Sequence, residues 1–296
     1  MAASTQVKSI TVDDGIDVLY REALPVSTQD PSTLPVVLLL HGFPSSSFQY
    51  RNLIPRLATR YRVIAPDLPG YGFTVVSASR EYEYTFASLA ETVAAFLDAL
   101  KIEKFAVYAF DYGAPTIFRI ALQRPHAITA LITQNRNAYI EGMGEEFWAP
   151  LKKAWADPTP ENLQALEPLV SFETTKSQYT TGSPDPSAIP PETYHLDYFL
   201  MTRPGNADVQ VSLALDYKNN VALYPEFHKY FREYRPPTLA AWGKNDEIFV
   251  PAGAEAFKRD NPNAIVKFVD AGHFALETAL DEVAAEFLAF LDQVGL

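Results

Sequence analysis

Cysteine is absent from the 296 residues. Its absence removes disulfides, thiolate nucleophiles and zinc–thiolate sites from consideration. Basic residues are in deficit: 24 Lys and Arg stand against 36 Asp and Glu, for a formal net charge of −12. That balance gives no bulk attraction to nucleic acid or to an anionic membrane surface. Long apolar runs are missing too. The longest, such as Val36 to Leu40, have strand length, far below the roughly 20 residues of a bilayer-spanning helix. The opening MAASTQVKSITVDDG has no apolar stretch of the kind a secretory leader carries. The expectation is a cytoplasmic protein with no membrane or nucleic-acid partner. What remains is 48% hydrophobic and 20% charged, a globular balance that argues against disorder. The length lies near the upper size for one hydrophobic core, so one domain, or one domain with an insertion, is expected.

Short apolar strands alternate with amphipathic helices. Ile10–Val12 and Ile16–Tyr20 flank Asp14-Gly15, a hairpin signal. Strands are predicted at 35–40, 61–65, 105–109 and 128–132, with helices at 88–100 and 114–122 between them. Such alternation implies βαβ units and a mainly parallel sheet. From about Asn135 to Tyr234 the strand pattern disappears and helical segments with polar loops take over. It then resumes with strands at 238–242 and 264–269 and helices at 252–259 and 281–291. The reading is a sheet domain formed by residues 1–135 and 235–296, interrupted by a helical insertion over 136–234.

Four motifs fall where predicted strands end. Ala109-Phe110-Asp111-Tyr112-Gly113 joins a strand to a helix, with small residues two before and two after Asp111. A sharp strand-to-helix turn needs that spacing, because its central residue is crowded and strained. It lifts the central side chain above the sheet edge. Asp246, in Trp242-Gly243-Lys244-Asn245-Asp246, and His273, in Gly272-His273-Phe274, follow the next two strands and so share that edge. Nucleophile, acid, histidine is the chain order such an architecture uses. His41-Gly42-Phe43-Pro44 follows an earlier strand. It would set the Phe43 N–H opposite the Tyr112 N–H as a two-donor oxyanion hole, with His41 as a buried structural histidine. His273 has no second His or carboxylate at metal-ligand spacing, so neither metal nor cofactor is expected.

These motifs, with Asp67-Leu68-Pro69-Gly70-Tyr71-Gly72, resemble the α/β-hydrolase fold over nearly the whole chain, the insertion standing in place of that family's cap. Asp as nucleophile resembles the branch of epoxide hydrolases and of haloalkane and haloacid dehalogenases. A carboxylate suits attack on an sp³ carbon bearing a leaving group, giving an alkyl ester of Asp111 that His273, held by Asp246, then hydrolyses. Haloalkane dehalogenases resemble one another in a Trp directly after the nucleophile, and haloacid dehalogenases in an Arg there. Here Tyr112-Gly113-Ala114-Pro115 offers neither. Phe43 in a His-Gly-Phe-Pro loop resembles epoxide hydrolases, which implies hydrolysis of an epoxide to a vicinal diol. The alternatives are a dehalogenase, a non-hydrolytic enzyme such as a lyase, or a non-catalytic binding protein. The resemblance also implies a Tyr acid on the last cap helix. Tyr217 is the first choice. Tyr224, seven residues on and expected on the same helix face, is the reserve. Trp155, through its indole N–H, and Tyr179 are further substrate contacts. The aromatic-rich insertion suggests a small apolar organic substrate, and the protein is expected as a monomer or homodimer.

Overall fold

The computed structural model describes residues 4–13, 15–26, 28 and 30–296. Nine strands form one sheet: β1 Gln6–Val12, β2 Ile16–Ala23, β3 Val36–Leu40, β4 Arg62–Pro66, β5 Val75–Val76, β6 Phe105–Phe110, β7 Ile128–Gln134, β8 Thr238–Gly243 and β9 Ile265–Val269. Their order is β1-β2-β4-β3-β6-β7-β8-β9, with β5 paired to β2. Every pair from β4 through β3 to β9 is parallel, while β1, β2 and β5 pair antiparallel. The hairpin expected at Asp14-Gly15 exists, with Val12 opposite Ile16, although Asp14 itself lies outside the described residues. The two-residue β5 is too short to leave a periodic signal in the sequence.

Strand β3 is an unbroken apolar run because both of its faces are covered. Val37 and Leu39 join the core on one side of the sheet, and Leu38 and Leu40 join the core on the other. That is the two-residue alternation of a pleated strand. Chain order reverses at β3, which has β4 on one side and β6 on the other. In open α/β sheets ligands bind at the carboxyl edge beside such a reversal, which is where the loops after β3 and β6 lie.

Between β7 and β8 the chain is helical, its one extended contact being an isolated bridge from Met143 to Phe249. The main insertion helices are Glu145–Ala156, Phe172–Thr180, Pro191–Met201, Asn206–Ala222 and Tyr224–Tyr234. Helix Asn206–Ala222 buries Gln210, Leu213, Ala214, Tyr217 and Asn220, one face at three- and four-residue spacing. Three polar contacts tie that face to the sheet domain. Gln210 Nε2 donates to the Gly70 carbonyl at 3.0 Å, the Phe86 N–H donates to Asp216 Oδ2 at 2.7 Å, and Arg119 Nη2 donates to Asn220 Oδ1 at 3.0 Å. Among the described residues no helix is long and apolar enough to cross a membrane.

Candidate active site

Asp111 follows β6 with φ +44°. A side chain other than glycine rarely adopts that left-handed backbone, and the surrounding structure must hold it there. Crowding explains how it is held. A Cβ on Gly113 would lie 2.4 Å from the Leu40 carbonyl oxygen, and one on Gly42 would lie 2.2 Å from Asp111 Oδ1 and 2.3 Å from the Tyr112 nitrogen. Glycine at both positions lets the β3 loop press against the turn. The Phe43 N–H donates to Asp111 Oδ1 at 2.5 Å, and the Tyr112 N–H is near enough to favour the ionised carboxylate. Asp111 is buried, and burial pushes its carboxyl up to about 6. The charge of His273, the two N–H groups and Arg136 oppose that rise without cancelling it.

His273 Nδ1 and Asp246 Oδ2 lie 2.8 Å apart. Asp246 Oδ2 also accepts from Asn135 Nδ2 at 2.7 Å, while Oδ1 accepts from the Ile248 and Phe249 N–H groups at 2.8 and 3.2 Å. With its lone pairs filled, the carboxylate stays an acceptor for the imidazole, which fixes the Nδ1–H tautomer. His273 Nε2 is buried with no hydrogen-bond partner. Burial alone would lower the proton affinity of His273, but the charge and hydrogen bond of Asp246, aided by the charge of Asp111, raise it overall. The ring packs against Phe110 and Phe249, at centroid distances of 4.7 and 5.8 Å. His41 is built into the loop: Nε2 accepts from the Leu68 N–H at 2.9 Å and Nδ1 meets the Gly42 carbonyl at 3.1 Å. Burial lowers its proton affinity.

Tyr217 is fully buried, with its ring against Trp148, Phe86 and Tyr112. Its hydroxyl accepts from Arg136 Nη1 and lies 3.4 Å from the Tyr224 hydroxyl. Burial holds the phenol well above its usual range, and the Arg136 guanidinium pulls it back.

Residues 35–280 match the family described as the alpha/beta hydrolase fold. The chain belongs to that family. An uncharacterized hydrolase of Saccharomyces cerevisiae is 46% identical over 95% of both chains. A cis-3-alkyl-4-alkyloxetan-2-one decarboxylase of Shewanella oneidensis is 25% identical over 87% of this chain and 82% of its own. The solved epoxide hydrolase CorEH superposes with a TM-score of 0.76 over 98% of this chain and 100% of its own, at 19% identity, a likeness of fold alone.

Within this hydrolase fold three expected contacts are placed differently. Tyr224 does not continue the helix of Tyr217. The chain breaks at Leu223, and Tyr224 starts the next helix, which carries Pro225 in its first turn. Tyr217 therefore sits on the last insertion helix but one, and the two hydroxyls meet across a helix junction. The Trp155 indole N–H, expected to face a leaving group, donates instead to the Ala214 carbonyl at 3.0 Å, and its ring stacks on Tyr217. Tyr179, expected to touch substrate, stacks on Phe274 at 3.7 Å and gives its hydroxyl to Asp197.

Two residues escaped the sequence reading. Asn135, at φ +46°, takes the Gly243 N–H on its oxygen at 2.8 Å and donates to Asp246. Arg136, next in the chain, is wholly buried beside Tyr217. The available signal was positional: both follow β7 at the edge that carries the four motifs. A cavity of about 810 Å³ runs along the seam between helices Glu145–Ala156 and Phe172–Thr180 and the loop after β8, and includes His273 and Asp246 in its lining. Asp111, Tyr217 and Arg136 are not among its lining residues. Among the described residues no three His, Asp or Glu side chains gather as a metal site would require.

Proposed function

We propose that this chain hydrolyses epoxides to vicinal diols through an ester on Asp111, with residues 136–234 acting as the cap over a core formed by 1–135 and 235–296. An Asp111 oxygen forms a bond to one oxirane carbon while the carbon–oxygen bond there breaks. The electron pair passes to the oxirane oxygen, which takes the proton of Tyr217. His273 Nε2 then removes a proton from water, and the hydroxide attacks the Asp111 ester carbonyl. The Phe43 and Tyr112 N–H groups stabilise the oxyanion that forms on Asp111 itself. Collapse releases the diol and restores the carboxylate, and the proton on His273 returns to the Tyr217 phenolate.

The observation that carries the epoxide reading is the Tyr217 hydroxyl, buried and accepting from Arg136. A phenol that accepts from a guanidinium has its own proton left to give, and the nearby cation stabilises the phenolate. A departing halide needs hydrogen-bond donors but no proton. The two tryptophans in contact with Tyr217 have their indole N–H groups committed, Trp148 to the Ile248 carbonyl and Trp155 to that of Ala214, which favours an oxygen leaving group.

Tyr217→Phe tests this reading. It keeps the ring contacts and removes one donor to a developing alkoxide, so alkylation by styrene oxide should slow about a hundredfold, near 3 kcal/mol. Ester hydrolysis should change little, because it uses His273 and backbone donors. Single-turnover kinetics separates the two steps, and unchanged epoxide alkylation would count against Tyr217 as the acid.

Asn135→Ala should act on the other step. It strips one donor from Asp246 and leaves the buried Gly243 N–H without its acceptor, at a cost of about 1–3 kcal/mol in stability. Hydrolysis of the ester should slow while alkylation holds. Urea unfolding and the same single-turnover experiment check both halves.

A further inference from the structure

Arg136 is the buried charge that the reaction above leaves incompletely used. Its side chain is 0% exposed, and among the described residues it makes no ion pair with a carboxylate. Nη1 donates to the Tyr217 hydroxyl, whereas Nε and Nη2 are buried with no hydrogen-bond partner. The guanidinium lies 5.9 Å from the Phe118 ring centroid and 5.6 Å from that of Tyr217. Ring faces attract a cation but do not satisfy its N–H groups. Buried charges are ordinarily paired, because desolvating them unpaired is costly.

The two unpartnered nitrogens are not an arbitrary pair. Nε–H and the Nη2 N–H beside it lie along one edge of the planar guanidinium, the edge that takes both oxygens of a carboxylate through two parallel hydrogen bonds. We propose that Arg136 is a carboxylate-binding residue and that the substrate is a 2,3-epoxy acid, an oxirane bearing a carboxylate. The carboxylate half stands on the guanidinium. The epoxide half rests on the reading of Asp111 and Tyr217 given above.

The grouping of donors suits that substrate. Tyr217 is held by the third nitrogen of the same guanidinium, so the proton donor for the oxirane oxygen and the fork for a carboxylate meet at one side chain. In a 2,3-epoxy acid the oxirane oxygen and the carboxylate are attached to the same carbon. One cation matches a singly charged carboxylate better than a doubly charged phosphate. The rings of Phe86, Tyr112 and Trp148, grouped around Tyr217, suit a hydrocarbon remainder. The charge of Arg136 also offsets the repulsion between that carboxylate and ionised Asp111, whose ionised form it favours.

Calorimetric titration of the wild-type protein with 3-phenylpropanoate and with 3-phenylpropanamide tests the carboxylate site without any chemistry. The acid should bind about tenfold to a hundredfold more tightly than the amide. Arg136→Gln should abolish that preference, and Arg136→Lys, which keeps the charge and loses the fork, should retain only part of it. Equal binding of acid and amide to wild type, no acid binding at millimolar concentration, or a preference that survives in a folded Arg136→Gln protein overturns the proposal. The wild-type comparison decides even where the variants fail to fold. Hydrolysis of 3-phenylglycidate and 3-phenylglycidamide then divides the two halves. The acid should show at least about a tenfold higher kcat/KM. Equal turnover removes the carboxylate and leaves the epoxide reading standing. Selective acid binding with no ester formed on Asp111 from either epoxide keeps the carboxylate site and removes the epoxide.

Discussion

Asp111→Asn should abolish turnover and, at neutral pH, make the protein more stable. The two effects have one cause. Burial lifts the Asp111 carboxyl from the usual 3.8 to about 6, so the folded protein holds that proton more tightly than the unfolded chain does. Stability therefore falls as pH rises through the interval from 3.8 to about 6, and the loss is complete above it. The displacement corresponds to roughly 3 kcal/mol. Asparagine carries no titrating charge, keeps an oxygen for the Phe43 N–H and tolerates a positive φ. The variant's advantage should be near zero at pH 4 and should grow to about that size by pH 7 to 8. Thermal or urea unfolding across pH 4 to 8 measures it, and a constant difference over that range would falsify the assignment of a buried, ionised carboxylate to the site. The same titration should appear in wild-type kinetics, with alkylation slowing about tenfold per unit as pH falls below about 6.

His273→Gln should leave an ester fixed on Asp111. The imidazole enters only after the carbon–oxygen bond to Asp111 exists, so alkylation should proceed and hydrolysis should fall by about a hundredfold to ten-thousandfold, the usual share of a general base. Electrostatics suits the histidine to that order of events. The charge of Asp111 is one of the forces that raise its proton affinity, and esterification removes that charge. The ring is thus more readily neutral at the stage when it must accept a proton. Intact-protein mass spectrometry after addition of an epoxide should show a stable adduct, mapped to the peptide that holds Asp111. Its mass also reports the chemistry. Opening an oxirane adds the whole substrate, whereas displacing a halide adds the substrate less the hydrogen halide. A substrate that wild type turns over but that gives no adduct on the variant would rule out the alkyl-enzyme route.

The sequence by itself determined the strands of the sheet other than β5 and the positions of the triad candidates along the chain. Strands β3, β6 and β8 are apolar over nearly their full length because both faces are covered, so each stands out as a continuous run. Residues placed just after parallel strands must share one edge, and that rule alone puts Phe43, Asp111, Asp246 and His273 together. Small residues around Asp111 mark the tight turn for the same reason of steric room. These signals are local, and each can be read within about ten residues.

What only the tertiary structure decided lies in the helical insertion and in the roles of hydrogen-bonding atoms. A helix repeat says which face is apolar but not where the helix is anchored. The anchors of the Tyr217 helix reach Gly70, Phe86 and Arg119, between 101 and 140 residues away in the chain. The break at Leu223 sends Tyr224 onto a new helix, though its hydroxyl still meets that of Tyr217. Whether an N–H or O–H is free depends on the partner it finds, and Trp155 finds Ala214 while Tyr179 finds Asp197. Arg136 shows the same point in reverse: its place just after β7 is its one signal in the sequence, and that signal does not separate it from a surface arginine. Its burial, its contact with Tyr217 and its two unpartnered N–H groups exist only once β7, the helix Gly113–Gln123 and the insertion have packed around it.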